Sequence, residues 1–165
     1  MIKKNTQAGF TLIEIMVAIV VIGIIVAIAT PNYLASQNNA RVASLKVNMK
    51  TFQTVLETYA IDWQGTFAGN VSDLKAEADG IGRDYWKEFN NPFTSKVGNG
   101  ISYNDVSAVT LTSTGVSNPD PALAGQVLYD PVTTDQAITR YFVYALDKSG
   151  NALTDQGQIL TLSNT

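Results

Sequence analysis

The hydrophobic and polar positions divide the chain into three parts, and the first is an apolar block near its start. Of the 20 residues from Phe10 to Ala29, only Thr11, Glu14 and Gly23 are not apolar. Twenty helical residues extend about 30 Å, which matches the hydrocarbon core of a bilayer. The pattern therefore predicts a transmembrane helix.

A second pattern begins at Asn32 and continues to Trp63. Apolar residues recur at alternating steps of three and four, which predicts an amphipathic helix with one face for burial. Pro31 lies between the two segments and removes an amide donor, so we expect a kink there in the isolated subunit. A coiled coil is the alternative, but packing on a sheet is favoured because clear e/g charge pairs are absent. The stripe consists of Val42, Leu45, Met49, Phe52, Leu56, Tyr59 and Trp63.

The third part, residues 64–165, is rich in turn signals and predicts a globular head with a variable loop and a small antiparallel sheet. The segment Ser72–Ala78 fits a short capped helix. We expect the strands to form a meander with its apolar face toward the helix. The predicted class is thus α+β: a long N-terminal helix, part membrane span and part stalk, packed on a small antiparallel β-sheet. The predicted strands are Ala108–Thr112, Gln126–Tyr129, Tyr141–Leu146 and Gln158–Leu162.

The amino-acid composition excludes several classes of functional site. The 165 residues suffice for one domain and contain neither cysteine nor histidine. Cys/His zinc sites, thiol nucleophiles, histidine triads and disulfides are therefore excluded. The net charge of −3, with no run of Lys or Arg, argues against sequence-specific nucleic-acid binding. An enzyme that acts through carboxylates alone remains possible on this composition, but the side chains of the usual polar chemistry are largely missing, and we expect no enzymatic activity and no cofactor.

Glu14 is the most informative residue because it lies inside the apolar block. A carboxylate well inside a bilayer costs about 2.5–3.5 kcal/mol, and no residue of the block is cationic. Cleavage after Gly9 would give Phe10 a free α-amine at the same depth. That amine could pair with Glu14 of its own chain or of a neighbouring subunit, in which case docking relieves the cost of an unpaired carboxylate.

A removable secretory signal is the alternative interpretation of the same segment. Lys3 and Lys4 form a basic start, and Ala27–Ala29 fits the small-x-small cleavage pattern. Cleavage after Ala29 would release a secreted soluble binding domain. The apolar run is longer than the usual signal core and carries Glu14, and both facts favour a membrane span.

The segment Gly9-Phe10-Thr11-Leu12-Ile13-Glu14, followed by the apolar block and Pro31, resembles the N-terminus of type IV pilins and pseudopilins. The resemblance implies a leader, residues 1–9, that a prepilin peptidase removes between Gly9 and Phe10. It also implies N-methylation of Phe10, a role in assembly for Glu14, and a helix stretch between Gly23 and Pro31 that can unwind in filaments.

The family resemblance further implies a structural subunit of a type IV pilus. The precursor would be a single-pass protein of the cytoplasmic membrane, with residues 10–31 in the bilayer and later in the filament core. The stalk, residues 32–63, would follow. An inner-membrane assembly machinery would move subunits from lipid into an extracellular helical homo-oligomer that serves adhesion, motility or DNA uptake. A major pseudopilin of a type II secretion system is the alternative within the family.

Three local signals remain. Asp147, Ser149, Asn151 and Asp155 place oxygen ligands at alternate positions as calcium loops do, although a hairpin turn explains them more simply and no metal is expected. Asn70-Val71-Ser72 fits the glycosylation triplet, which is common by chance. The many aromatic residues after Phe52 are expected to pack in the core rather than to conduct electrons.

Overall fold

The computed structural model describes residues 9–134 and 137–164. The predicted leader, residues 1–9, lies outside the described residues except for Gly9, as do Lys3 and Lys4. The chain divides into two units, with the boundary between Ala40 and Arg41.

The predicted N-terminal helix is present as α1, Leu12–Asp62. The helical assignment is unbroken at Pro31, the position of the predicted kink. Proline removes the amide that would bind the Ala27 carbonyl, and the Thr30 hydroxyl donates to the Val26 carbonyl at 2.7 Å and does not replace it. One missing backbone bond therefore does not end the helix.

The apolar block of α1 has no covering layer in the first unit. Phe10 is 85% exposed, and large apolar side chains remain exposed through Ile28 and on to Leu34. By length and composition this part of α1 qualifies as a membrane span. An apolar surface of this extent is unusual for a monomer in water, because such patches normally mark an interaction with lipid or another chain.

In the second unit, the predicted apolar stripe forms the helical side of the core. Its members Leu45, Met49, Phe52, Leu56 and Tyr59 are buried, which confirms the predicted burial face. Val42 is half-buried against the same core, and Trp63 lies just past the end of α1 with 42% of its surface exposed.

A four-stranded sheet and two small hairpins form the rest of the second unit. The sheet order is β1-β4-β5-β8; β4 pairs antiparallel with β5, and β5 with β8. The first hairpin pairs β2 with β3, and the second pairs β6 with β7. The strands are β1 Tyr103–Asp105, β2 Leu111–Thr112, β3 Gly115–Val116, β4 Val127–Thr134, β5 Ala137–Ala145, β6 Thr154–Asp155, β7 Gln158–Ile159 and β8 Leu162–Ser163, with the helix α2 at Val71–Ala78.

The predicted meander is correct for β4, β5 and β8 and wrong at the other edge. There β1, which the sequence analysis missed, pairs parallel with β4. Asn104 and Asp105 are poor strand formers, so β1 carries a weak pattern. A parallel pair needs a long crossover, and residues 106–126 supply it.

Two predicted strands were placed too broadly. Within Ala108–Thr112 only β2 is extended, and it pairs in a separate hairpin because Ala108 ends a 3-10 turn. Within Gln158–Leu162 the chain bends between β7 and β8. The predicted short helix is confirmed as α2, and Asn70 caps it by accepting from the Asp73 amide at 2.8 Å.

Aromatic rings fill the space between α1 and the sheet, as predicted for core packing. The Phe52 ring lies 6.2 Å from Trp86, 6.3 Å from Phe89 and 6.0 Å from Tyr129, between centroids. The Tyr129 hydroxyl donates to the Ala68 carbonyl at 2.6 Å. Burial raises the pKa of Tyr129 well above its usual value, so this hydroxyl stays a neutral donor.

A buried asparagine joins three loops at the edge of this core. Asn91 is 1% exposed. Its side-chain amide donates to the carbonyls of Ile101 at 2.6 Å and Ala124 at 2.7 Å, and its side-chain oxygen accepts from the Phe93 amide at 2.8 Å. The side chain thus satisfies backbone groups that belong to three different loops.

We predict that Asn91→Ala destabilises the second unit by about 2–4 kcal/mol, because it leaves several buried backbone groups without a partner. The measurement is denaturant unfolding of the full chain in detergent, followed by tryptophan fluorescence. The matched control is Asn90→Ala, at the exposed neighbouring residue. Equal stability of the two variants would contradict the role given to Asn91.

Candidate functional site

The start of α1 is organised by a hydrogen-bonded pair, Thr11 and Glu14. The Glu14 carboxylate accepts from the Thr11 amide and from the Thr11 hydroxyl, both at 2.8 Å. In return, the Thr11 hydroxyl oxygen accepts from the Glu14 amide at 3.3 Å. Since Leu12 is the first helical residue, Thr11 is the N-cap and Glu14 the third residue of the helix. This reciprocal arrangement is a capping box.

The capping box gives Glu14 a partner that the sequence analysis did not identify. A cationic partner was predicted for Glu14, but the apolar block from Phe10 to Ala29 contains no cationic side chain. The partner is instead the backbone and hydroxyl of Thr11 in the same chain. The signal was available, because Thr followed three residues later by Glu before an apolar run is the sequence form of this motif.

The predicted cleavage position lies immediately before the capping box. Gly9 and Phe10 are exposed and precede the helix, and a side-chain atom built on Gly9 would meet nothing within 4 Å. The Gly9–Phe10 peptide bond is therefore open to an enzyme. Cutting it would create the α-amine one residue from the amide that already binds the Glu14 carboxylate.

The side of α1 that follows Glu14 carries a shallow groove without polar lining. The groove encloses about 310 Å³ and is formed by Ile13, Met16, Val17, Val20 and Val21. These positions follow the spacing of one helix face, so a second apolar helix could lie against them. Gly23 lies further along the helix, where a side chain would face open space.

Comparison with known proteins identifies the N-terminal segment. The family model of the prokaryotic N-terminal methylation motif matches residues 4–30. This match includes Gly9, Phe10 and Glu14. In this region, the chain is similar to the N-termini of proteins that carry the methylation motif.

Type IV pilins and a secretion-system core protein are among the proteins to which this chain is similar. The type II secretion system core protein G of Pseudomonas aeruginosa is 37% identical over 60 residues, 36% of this chain and 42% of the relative. The type IV major fimbrial protein FimA of Dichelobacter nodosus is 40% identical over 84 residues, 47% of this chain and 52% of the relative. The type IV major pilin protein PilA of Myxococcus xanthus is 39% identical over 51 residues, which are 31% of this chain and 23% of the relative.

These matches cover about half or less of each relative's length, from 23% to 52%. No solved structure matches the chain significantly. The similarity therefore identifies a motif in the N-terminal segment and leaves the activity of the whole protein to be proposed.

Two of the calcium candidates, Asp147 and Asn151, already accept hydrogen bonds from backbone groups. The Asp147 carboxylate accepts from the Ser149 amide at 2.8 Å, the Ser149 hydroxyl at 2.6 Å and the Asn151 amide at 3.1 Å. The Asn151 side-chain oxygen accepts from the Val116 amide at 2.7 Å. Asp155 lies in β6. Within residues 9–134 and 137–164, no group of three or more acidic, cysteine or histidine side chains is placed to hold a metal.

The glycosylation triplet has a structural role as well. Asn70 is half-buried, and both ends of its side-chain amide are engaged by Asp73, the nitrogen donating to the carboxylate at 2.8 Å. The amide nitrogen that a glycan would modify therefore belongs to the α2 cap.

We predict that Thr11→Ala weakens the first turn of α1 by about 1 kcal/mol, because the N-cap hydroxyl is lost. Thr11→Ser keeps the hydroxyl and serves as the control. The measurement is exchange of the Glu14 and Ile15 amides, which bond to the Thr11 hydroxyl and carbonyl, in detergent micelles, where the alanine variant should exchange about fivefold faster. Unchanged exchange in that variant would show that the capping box does not stabilise the turn.

Proposed function

We propose that this chain is the precursor of a type IV pilus subunit, cut between Gly9 and Phe10 by a prepilin peptidase and then methylated at Phe10. The single observation that carries the proposal is the methylation motif at residues 4–30 on a helix whose apolar residues are exposed. The work proposed for it is structural rather than catalytic. The pilin and fimbrial protein among its relatives support this class.

The exposed block supports a path from membrane to filament. At about 25 cal/mol per Å² of apolar surface, moving 20 such residues into water costs tens of kcal/mol. The block must therefore pass from lipid directly into another apolar environment. The segments of other copies provide one, with faces such as the groove along Ile13–Val21 in contact. In this proposal the precursor waits in the cytoplasmic membrane until the assembly machinery moves it into an extracellular helical fibre.

The capping box suggests how Glu14 serves both stages. In the precursor, the Thr11 amide and hydroxyl satisfy the carboxylate, which lowers the cost of its burial near the membrane surface. After cleavage, the Phe10 amine adds a positive charge beside the box. The amine of one copy can then pair with Glu14 of the next copy, which would favour one register between neighbouring helices.

The stretch between Gly23 and Pro31 keeps a more specific role in this proposal. Gly23 weakens the helix by about 1 kcal/mol relative to alanine, and Pro31 removes a backbone bond. We propose that this stretch can unwind in the filament under load, although it is helical in the single chain.

A second candidate function within the family is the core pseudopilin of a type II secretion system. It is favoured by the similarity to the core protein G of Pseudomonas aeruginosa. The two candidates differ in the product. A pilus subunit gives surface fibres visible by electron microscopy, whereas loss of a pseudopilin stops export of secreted proteins without removing surface fibres.

We predict that Gly9→Leu leaves an uncut precursor in the membrane, because a bulky residue at the exposed bond blocks the peptidase. Intact mass spectrometry of the wild type should give a chain that begins at Phe10 and carries one added methyl group. A mature chain that begins at Thr30 would instead support the secreted domain and contradict the proposal.

We predict that Glu14→Ala is cut and inserted normally but reduces fibre yield at least about tenfold, because the carboxylate that pairs with the amine is lost. Glu14→Asp, which keeps the charge, is the matched control. Counts of sheared fibres per cell provide the measurement. Normal fibres from the alanine variant would contradict the pairing.

A further inference from the structure

Three large apolar side chains are exposed near the end of α1 and on the loop after α2. Ile61 is 81% exposed, Trp63 is 42% exposed and Ile81 is completely exposed. Arg83 joins the two segments: its guanidinium lies 3.6 Å from the Asp62 carboxylate, forms an ion pair with Glu77, and lies 5.8 Å from the centre of the Trp63 ring. We define the Ile81 patch as residues 61–64 and 77–84.

The Ile81 patch is acidic around its apolar residues. It contains four carboxylates and one guanidinium. Arg83 is engaged by Asp62 and Glu77, whereas Asp79 and Asp84 are exposed and form no ion pair within the described residues. A partner for this surface should therefore offer cations around an apolar side chain.

The same chain carries a surface of that kind lower on α1. Val47 is 63% exposed, and Lys46 and Lys50 are exposed beside it. These three residues form the Val47 patch, whereas Arg41, earlier on α1, has its guanidinium 5.5 Å from the centre of the Phe93 ring. Between Glu14 and Glu57 the sequence has the two lysines and Arg41 as its cations and no carboxylate. None of the three cations forms an ion pair within the part of the chain that the structure describes.

We propose that the Val47 patch of one copy binds the Ile81 patch of a second copy, an inference that rests on the proposed filament. The two surfaces match in charge, and each has exposed apolar side chains at its centre. Complementary potentials of this kind fix register and suppress wrong contacts between partners.

The positions of the two patches determine the kind of assembly. Val47 and Ile61 are fourteen residues apart on α1, which is about 21 Å along the helix axis. Between copies that point the same way, as in the proposed filament, patches at different heights cannot pair reciprocally, so the contact is heterologous and leaves one free patch at each end. Such a contact extends into an open filament.

The offset between the two patches also means that the contact can form in the filament but not between copies in the membrane. Copies whose apolar blocks lie level in one bilayer hold their patches at equal heights, and the patches cannot meet. The contact forms when one copy is displaced outward by about 21 Å relative to the other. It therefore favours chains that have left the membrane in order.

Cysteine cross-linking tests the contact without background, because the natural chain has no cysteine. The full-length variant Val47→Cys with Ile81→Cys is expressed in the native host, and sheared fibres are oxidised and run on a non-reducing gel. The expected result is a ladder of oligomers. Each single variant, and the control pair Val47→Cys with Lys148→Cys, should give no ladder.

Charge-reversal variants of the two patches provide a second test, which needs no cysteine. Lys46→Glu with Lys50→Glu should reduce fibre yield at least about tenfold through like-charge repulsion, as should Asp79→Lys with Asp84→Lys. The four changes together should restore most of the yield. Asp79→Asn with Asp84→Asn, which removes charge without reversing it, should be intermediate.

The outcomes distinguish a failure of this contact from a failure of the proposed function. Fibres without a ladder, or charge variants that assemble normally, would overturn the contact and leave the filament proposal intact. Wild-type chains that never enter a fibre or a pseudopilus would overturn the filament proposal itself.

Discussion

The structure depends on one unmet requirement: the apolar side chains from Phe10 to Ala29 are exposed in the part of the chain that the structure describes. The second unit needs no such help, because α1 and the sheet enclose a core in which residues such as Phe52 and Tyr129 are inaccessible to water. The chain therefore combines a self-sufficient folded part with a segment that needs an external apolar environment. A bilayer and a bundle of identical helices are the two environments that the proposed life cycle supplies.

The polar groups at the start of that segment form hydrogen bonds within the same turn of the chain. The capping box gives the carboxylate of Glu14 two donors from Thr11, and the free N–H groups of a helix start also favour a negative charge there. The same carboxylate is thus a cap in the single chain and, in the proposed function, an acceptor for an amine created by cleavage. Because neither role needs histidine, cysteine or metal, the composition is consistent with a structural protein.

The sequence predicted what depends on periodicity and missed what depends on contacts distant in the chain. The stripe from Leu45 to Tyr59 and the α2 cap at Asn70 follow from local spacing, and both are present. The parallel pairing of β1 does not follow, because Tyr103–Asp105 is short and polar and gains its place from β4, more than twenty residues away. At the site, Gly9, Phe10 and Glu14 could be chosen from the motif. The partner of Glu14 was missed because a cation was sought where a hydroxyl and an amide suffice.

The central claim is that the apolar block persists in the mature protein and is buried among copies of itself. Three methionines allow a direct test: Met1 lies in the proposed leader, Met16 lies in the block at 54% exposure, and Met49 is fully buried in the second unit. Purified fibres free of lipid and detergent are treated with peroxide, and sulfoxide formation at each residue is followed by peptide mass spectrometry. The account predicts that Met16 is present and as protected as Met49. Oxidation of Met16 at the rate of the unfolded chain, or its absence from the fibre protein, would contradict it.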